Sequence, residues 1–159
     1  QDLTRDITSS NEICILEGSA FQNTIRFMIE GLNQDIDAYF EHFQHAIQAL
    51  EPRFIYLRPA DLDQALAYTC HSRGNEWASK VAGYLETTPF CQSNELKGLP
   101  GMFSFWKSYA LQCDTLFNQL RMPKLTVSPQ AGRWEEQIPV ICNFLGIPYP
   151  LKAENKACA

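Results

Sequence analysis

The run RFIYLR, residues 53 to 58, is one of three strand candidates around which the rest of the chain is organised. The other two are EICILEG, residues 12 to 18, and KLTVS, residues 124 to 128. Each is short and mostly apolar, which is typical of strands that are buried on both faces of a parallel sheet. We therefore predict strands at 12–17, 53–58 and 124–128.

Helical periodicity fills the segments between these runs. The predicted helices cover about 19–30, 34–50, two segments on either side of a corner at 71–74, about 102–120 and 134–146, and 91–101 is predicted to be a loop. Strands that alternate with helices favour right-handed crossovers and a parallel sheet. The predicted fold class is therefore α/β, a parallel three-stranded sheet flanked by helices on both faces, although three strands are few for such a sheet.

The length of 159 residues predicts one domain. We assign residues 12–147 to a single α/β domain with a lid-like helical part at about 60–100. Residues 1–11 form a polar lead-in, and residues 148–159 form a tail. Because the chain begins at Gln1 and not at Met, we expect it to be processed, trimmed or a fragment of a longer protein.

Composition narrows the class of protein. Hydrophobic residues make up 45% of the chain and charged residues 19%, which is a globular mixture. The net charge of -5 argues against a nucleic-acid surface, and no apolar run approaches the roughly 20 residues that span a membrane. The six cysteines are widely spaced without a CxxC pair, which favours a reduced, cytoplasmic protein over a disulfide framework.

Ligands of open α/β sheets bind at the carboxyl ends of the strands, and Glu17 stands at one of these predicted ends. A carboxylate at the end of a buried strand is costly without a partner, so Glu17 is a candidate to position a metal or to accept a proton. The alternative is that Glu17 caps or pairs with a neighbouring helix.

The next candidate site residues lie on a helix and at a helix–helix corner. Gln22, Asn23 and Arg26 lie near the start of the helix after Glu17 and are predicted to bind substrate; the alternative is a solvated helix face. Arg73 lies at a helix–helix corner before Gly74, where a mobile arginine suits phosphate charge. The alternative is a surface arginine in a simple turn.

Other signals are weaker. The argument that a positive side chain could meet phosphate charge applies with less support to Arg58, Lys97 and Arg133. The spacing of His42 and His45 is not a strong metal signal, so no metal site is predicted. The sequence contains no GxxxxGK[ST] phosphate loop.

Residues 12–146 resemble the C-terminal two-thirds of small P-loop kinase-like proteins, similar to the thymidylate-kinase and deoxynucleoside-kinase group. The stretches that carry this resemblance are ILEGSAFQNTIRF, FIYLRPADLDQAL, SRGNEW, GLPGMFSFWKSY and KLTVSPQAGRWEEQIPVICNFLGI. They are moderately specific together and weak singly.

The resemblance implies roles for several residues. Glu17 would face the acceptor and the metal, and Arg73 would reach the nucleotide phosphates from a lid. Arg58 would end the strand before that lid and is predicted to bind substrate. The loop at 129–132 would border the adenine, with Arg133 as a cofactor-binding residue. ATP and Mg²⁺ are the implied cofactors, and a small-molecule acceptor is the implied partner, with no nucleic acid, no membrane and a possible homodimer.

The chain departs from this family at its most important element. The family begins with a strand, a glycine-rich phosphate loop with its Lys, and a helix, and the resemblance places that strand between 12–17 and 53–58. Because the loop and its Lys supply most of the contacts that bind phosphate, we expect this chain alone to bind no cofactor tightly.

The resemblance thus implies that the chain is the acceptor-and-lid portion of a P-loop kinase-like, ATP-dependent phosphotransferase that acts on a small molecule such as a nucleoside or nucleotide, and that it is inactive without the missing loop. The alternative is a non-catalytic binding module with a kinase-like core. A third possibility, a sulfotransferase-like enzyme, rests only on residues 134–147. An upstream coding region with GxxxxGK[ST] favours the first, and an initiator Met directly before Gln1 favours the second.

Overall fold

The computed structural model describes residues 13–32, 35–128 and 133–149. The elements in chain order are a π-helix Ser19–Ile25, α1 Arg26–Glu30, α2 Ile36–Ile47, a 3-10 turn Gln48–Leu50, β1 Phe54–Leu57, α3 Leu62–Arg73, α4 Asn75–Glu86, α5 Pro89–Ser93, α6 Gly98–Gln119, β2 Lys124–Val127 and α7 Trp134–Leu145. None of these helices is both long and apolar enough to cross a lipid bilayer.

The described part of the chain is mostly helical, with one sheet of two strands, so the predicted three-stranded α/β sheet is wrong. Residues 13–16 lie outside any strand. The side chains of Ile13 and Ile15 are 85% and 88% exposed, so this run lacks the burial that the strand prediction assumed. A strand also needs a hydrogen-bonded neighbour, and within the described residues the only ladder joins β1 to β2.

Contacts divide the chain into two compact units. The first comprises residues 1–52 and 61–122, and the second comprises 53–60 and 123–159. The prediction of a single domain over 12–147 stays a prediction.

The core of the first unit is a helix–helix interface between α4 and α6. Ala78 and Ala82 bring the buried face of α4 close to α6, where Phe105 and Leu116 are fully buried. Burying one such large side chain contributes about 1.5–3 kcal/mol. Helix packing, and not a sheet, therefore supplies most of the apolar core of this unit.

The second unit contains the sheet. β1 and β2 pair in parallel, in the register from Phe54↔Lys124 to Leu57↔Val127. Backbone hydrogen bonds of 2.9 Å continue the ladder at both ends, from Phe54 N–H to the Pro123 carbonyl and from Arg58 N–H to the Val127 carbonyl. α7 follows β2 and packs against it. Two of the three predicted strands therefore form, in the predicted direction.

Side-chain caps set the starts of two helices. Asp61 caps α3 by accepting a 2.9 Å hydrogen bond from Gln64 N–H, and Thr88 caps α5 ahead of Pro89. The loop predicted at 91–101 is shorter in the structure, because α5 extends into its start and α6 begins at Gly98. Cys14, Cys70, Cys91, Cys113 and Cys142 are free thiols.

Candidate functional site

The first candidate region is the helix that begins after Gly18. Gly18 has φ 65°, which favours glycine, and the chain then forms a seven-residue π-helix. Asn23 N–H donates to the Gly18 carbonyl at 3.1 Å, a hydrogen bond that spans five residues. Because π-turns are rare and are found frequently at functional sites, this start is an unusual feature of the molecule.

A groove runs along this helix. Its lining residues are Asn23, Thr24, Phe27, Met28 and Gly31, and its volume is about 520 Å³. Phe27 is 55% exposed and gives the groove an apolar wall. Among the predicted substrate-binding residues, Asn23 lines this groove and supplies an amide that can donate and accept hydrogen bonds.

Gln22 and Arg26 make other local contacts. The Gln22 side chain lies over Gly18, where an added Cβ would come 3.2 Å from its Oε1 atom. The Arg26 guanidinium lies over the Phe27 ring at 4.3 Å and pairs with Glu30, with Arg26 Nη1 at 3.2 Å from Glu30 Oε1. Gln22 and Asn23 are exposed, whereas Arg26 is half-buried.

Glu30 is a buried carboxylate held from two sides. The Tyr84 hydroxyl donates a 2.7 Å hydrogen bond to Glu30 Oε2, and Arg26 faces the other oxygen. Oε1 accepts no hydrogen bond of good geometry among the described residues, so the nearby charge of Arg26 compensates its burial. The hydrogen bond to Glu30, followed by burial, raises the pKa of Tyr84 above its ordinary value.

Glu17 lies immediately before this helix and is exposed. The argument for Glu17 assumed the end of a buried strand, and residues 13–16 are neither buried nor a strand. The strand-based reason for its predicted catalytic role therefore fails, whereas the role that the resemblance implies for Glu17 stays a prediction.

Arg73 is the last residue of α3, and Gly74 with φ 86° separates it from α4. The side chain is exposed, and its guanidinium carbon lies 5.1 Å from the centre of the Trp77 ring. Among the described residues, no carboxylate lies within ion-pair distance of Arg73. Arg73 is therefore held by an aromatic ring and keeps its charge open to solvent.

The remaining predicted arginines belong to the second unit. Arg58 follows β1 directly, is half-buried, and donates from Nη1 to the Pro59 carbonyl at 3.1 Å. Arg133 precedes α7, and its Nε lies 3.6 Å from Glu136 Oε1 with both side chains exposed. The predicted adenine loop at 129–132 lies outside the described residues.

Sequence reasoning missed a second, polar cavity of about 230 Å³ in the first unit. Its lining residues are Glu41, Gln44, His45, Gln48, Arg121 and Met122. A signal was present, because Gln44 stands four residues after the core residue Phe40 and thus on the inner face of α2.

The part of the chain that the structure describes shows no ready site for the implied cofactors, ATP and Mg²⁺. The sequence contains no phosphate loop to hold ATP. In the part of the chain that the structure describes, no three His, Cys, Asp or Glu side chains are grouped so that they could hold a metal ion such as Mg²⁺.

Comparison with protein-family models, curated proteins and solved structures finds no match to this chain.

Proposed function

We propose that this chain is the acceptor-and-lid portion of a P-loop kinase-like phosphotransferase that acts on a small molecule such as a nucleoside or nucleotide. In this proposal the phosphate loop, ATP and Mg²⁺ belong to the whole gene product. The chain described here would supply the acceptor contacts and a late-arriving positive charge. We also propose a reduced, cytoplasmic setting, which agrees with five free thiols among the described cysteines.

The observation that carries the proposal is the state of Arg73. Its guanidinium is exposed, stacked on Trp77 and without a carboxylate partner among the described residues, next to a glycine with positive φ. An arginine that already neutralised a carboxylate would have to break that pair to meet a phosphate. Arg73 carries no such cost, which supports a role in neutralising phosphate charge.

A second candidate, a non-catalytic binding module, is favoured by the groove beside Asn23. That groove combines an apolar wall with one amide and needs no phosphate loop to take a small molecule. The two candidates differ in turnover and not in acceptor binding.

The test is a phosphoryl-transfer assay on the whole gene product with ATP, Mg²⁺ and separate nucleoside and nucleotide acceptors. Phosphorus NMR would follow loss of the γ-phosphoryl group from ATP and its appearance on an acceptor oxygen, with ADP released. The proposal expects transfer to at least one acceptor, and none by the present chain alone.

An acceptor that binds by calorimetry but is never phosphorylated would contradict the phosphotransferase and support the binding module. Asn23→Ala is the variant that both candidates share, since each expects weaker acceptor binding. Ser104→Ala, on α6 and outside the groove, is a matched polar control that should leave acceptor binding unchanged.

A further inference from the structure

Helix α3 is fixed less firmly than the two helices that it contacts, α4 and α6. The structure describes all 12 residues of α3, and none of them is buried. By contrast, Ala78, Ala82 and Leu85 are buried on α4, and α6 buries residues along most of its length. Because the stability of an element against local opening follows its buried apolar contacts, α3 should open before α4 and α6 do.

The contacts between α3 and these neighbours are made at the surface. Among the described residues, one ion pair joins α3 to α6, with Lys107 Nζ at 2.7 Å from Asp63 Oδ1. The two side chains are 50% and 62% exposed, so dissolved salt can screen both charges. A second contact joins α3 to α4, where the Arg73 guanidinium lies over the Trp77 ring. The polar contact that holds α3 to α6 is therefore one that ionic strength can weaken.

The chain at both ends of α3 can absorb a change of direction. Gly74 follows α3 with φ 86°, which favours glycine, and an added Cβ at this position would meet nothing within 4 Å. Residues 58–61, before α3, belong to no helix or strand. Asp63 lies in the first turn of α3, so the ion pair and Gly74 are about 16 Å apart along the helix axis. The ion pair thus lies at one end of α3 and a possible hinge at the other.

We propose that α3 opens as a unit about Gly74 while the α4–α6 core stays closed, and that the Asp63–Lys107 ion pair is a salt-sensitive latch for this motion. An exposed ion pair shifts an equilibrium by only a few-fold, so the latch adjusts the population of the open state and does not decide the fold. Because Arg73 stacks on Trp77 across Gly74, the same opening changes the surroundings of its guanidinium. The inference follows from burial and contacts and does not depend on the phosphotransferase proposal.

The test is amide hydrogen exchange of the chain, followed by NMR under conditions in which opening and closing are faster than exchange. Amides inside α3 should exchange at least about tenfold faster, relative to unstructured-peptide rates, than those at 78–85 and 105–116. Raising the NaCl concentration from about 0.01 M to about 1 M should accelerate exchange in α3 by a further two- to fivefold and leave the other two segments nearly unchanged.

Lys107→Met tests the latch without changing the sequence of α3, because Lys107 belongs to α6. This variant should raise the exchange rate of α3 about two- to fivefold at low salt and should abolish the effect of salt on α3. Lys107→Arg keeps the positive charge and should exchange like the unmodified chain. Lys80→Met removes the charge of another exposed ion pair, with Glu76 inside α4, and should leave exchange in α3 unchanged.

Three results would overturn the proposal. One is exchange of the α3 amides at the same rate as those at 78–85 and 105–116, which would mean that α3 opens only when the core unfolds. The second is unchanged exchange of α3 in Lys107→Met at low salt. The third is an equal acceleration of α3, α4 and α6 in that variant, which would mean that the ion pair acts on global stability. The measurement uses no nucleotide, so its outcome is separate from that of the phosphoryl-transfer assay.

Discussion

At the scale of single residues, the clearest stabilising contact is the hydrogen bond between Tyr84 on α4 and Glu30 on α1. The 2.7 Å hydrogen bond and the facing Arg26 allow a carboxylate to be buried in a largely apolar core. No sequence pattern marked this pairing, because Glu30 and Tyr84 are separated by 54 positions. Long-range side-chain partners of this kind become visible only after the helices have packed.

This contact predicts a pH dependence of stability. The folded-state pKa of Tyr84 is raised above its unfolded value of about 10, so the contribution is fully present below pH 10 and is lost as pH rises through the folded pKa. Ionised Tyr84 would face the Glu30 carboxylate without a proton to share. Urea unfolding across this alkaline range should show an extra loss of unfolding free energy in the unmodified chain.

Tyr84→Phe should cost about 1 kcal/mol near neutral pH, since one hydrogen bond to a charged, partly buried group is removed. The same variant should lose the alkaline decline that Tyr84 causes. Tyr68→Phe, at an exposed tyrosine of α3, is the control and should leave both unchanged. An identical alkaline decline in Tyr84→Phe would show that the contact does not contribute.

In contrast to Tyr84, Arg73 is predicted to contribute little to the stability of the fold. Its side chain is exposed and stacks on the Trp77 ring, so Arg73→Ala should change the unfolding free energy by no more than about 0.5 kcal/mol. Chemical denaturation measures this directly. A loss several times larger would mean that Arg73 holds the α3–α4 corner together and is not kept for a ligand.

At the scale of elements, two helical glycines make contrasting predictions. Gly83 in α4 has nothing within 4 Å of an added Cβ, so Gly83→Ala should stabilise the chain by about 0.5–1 kcal/mol through helix propensity. Gly101 in α6 lies against the backbone before it, and an added Cβ would come 2.7 Å from the Leu96 carbonyl carbon.

Gly101→Ala should therefore destabilise the chain by about 1–3 kcal/mol, because the backbone at Leu96 must move. Thermal unfolding of the two variants side by side tests this, since both make the same chemical change in a helix. Equal shifts of Tm in the same direction would contradict the close packing of α6 on the turn before it.

The sequence predicted some helices and strands correctly and others wrongly, for physical reasons. Apolar spacing and the candidate helix ends predicted most helices, and the runs at 53–58 and 124–128 became paired strands. The run at 12–17 failed because apolar composition reports a tendency to be buried, whereas a strand also needs a neighbour to accept its hydrogen bonds. The polar cavity escaped notice because it combines α2 with residues after α6.

At the scale of the whole molecule, the site residues fall in two compact units. Glu17, Gln22, Asn23, Arg26 and Arg73 belong to the first, and Arg58 and Arg133 belong to the second. The sequence identified most of these side chains by their position near the ends of predicted strands, and Arg73 by its position at a helix–helix corner. It could not divide them, because the division follows from which helices pack together.

The given sequence contains no GxxxxGK[ST] phosphate loop, and this leads to a prediction about nucleotide binding. Calorimetry of the present chain with Mg-ATP should show no saturable binding tighter than millimolar. The reason is that the backbone amides and the Lys of a phosphate loop normally supply most of the contacts that bind the nucleotide phosphates. The net charge of -5 adds no general attraction for a polyanion. A micromolar dissociation constant, about -8 kcal/mol, would contradict this account.

The most direct measurement is the turnover of the whole gene product with and without Arg73. Arg73→Ala should lower the rate of phosphoryl transfer from ATP by a factor on the order of 10³, because late positive charge on a transferring phosphoryl group has an effect of that size. Lys80→Ala, which removes one exposed positive charge from the neighbouring helix α4, should leave the rate unchanged. Equal turnover in Arg73→Ala and the unmodified protein would contradict the assignment of Arg73 as the residue that meets phosphate.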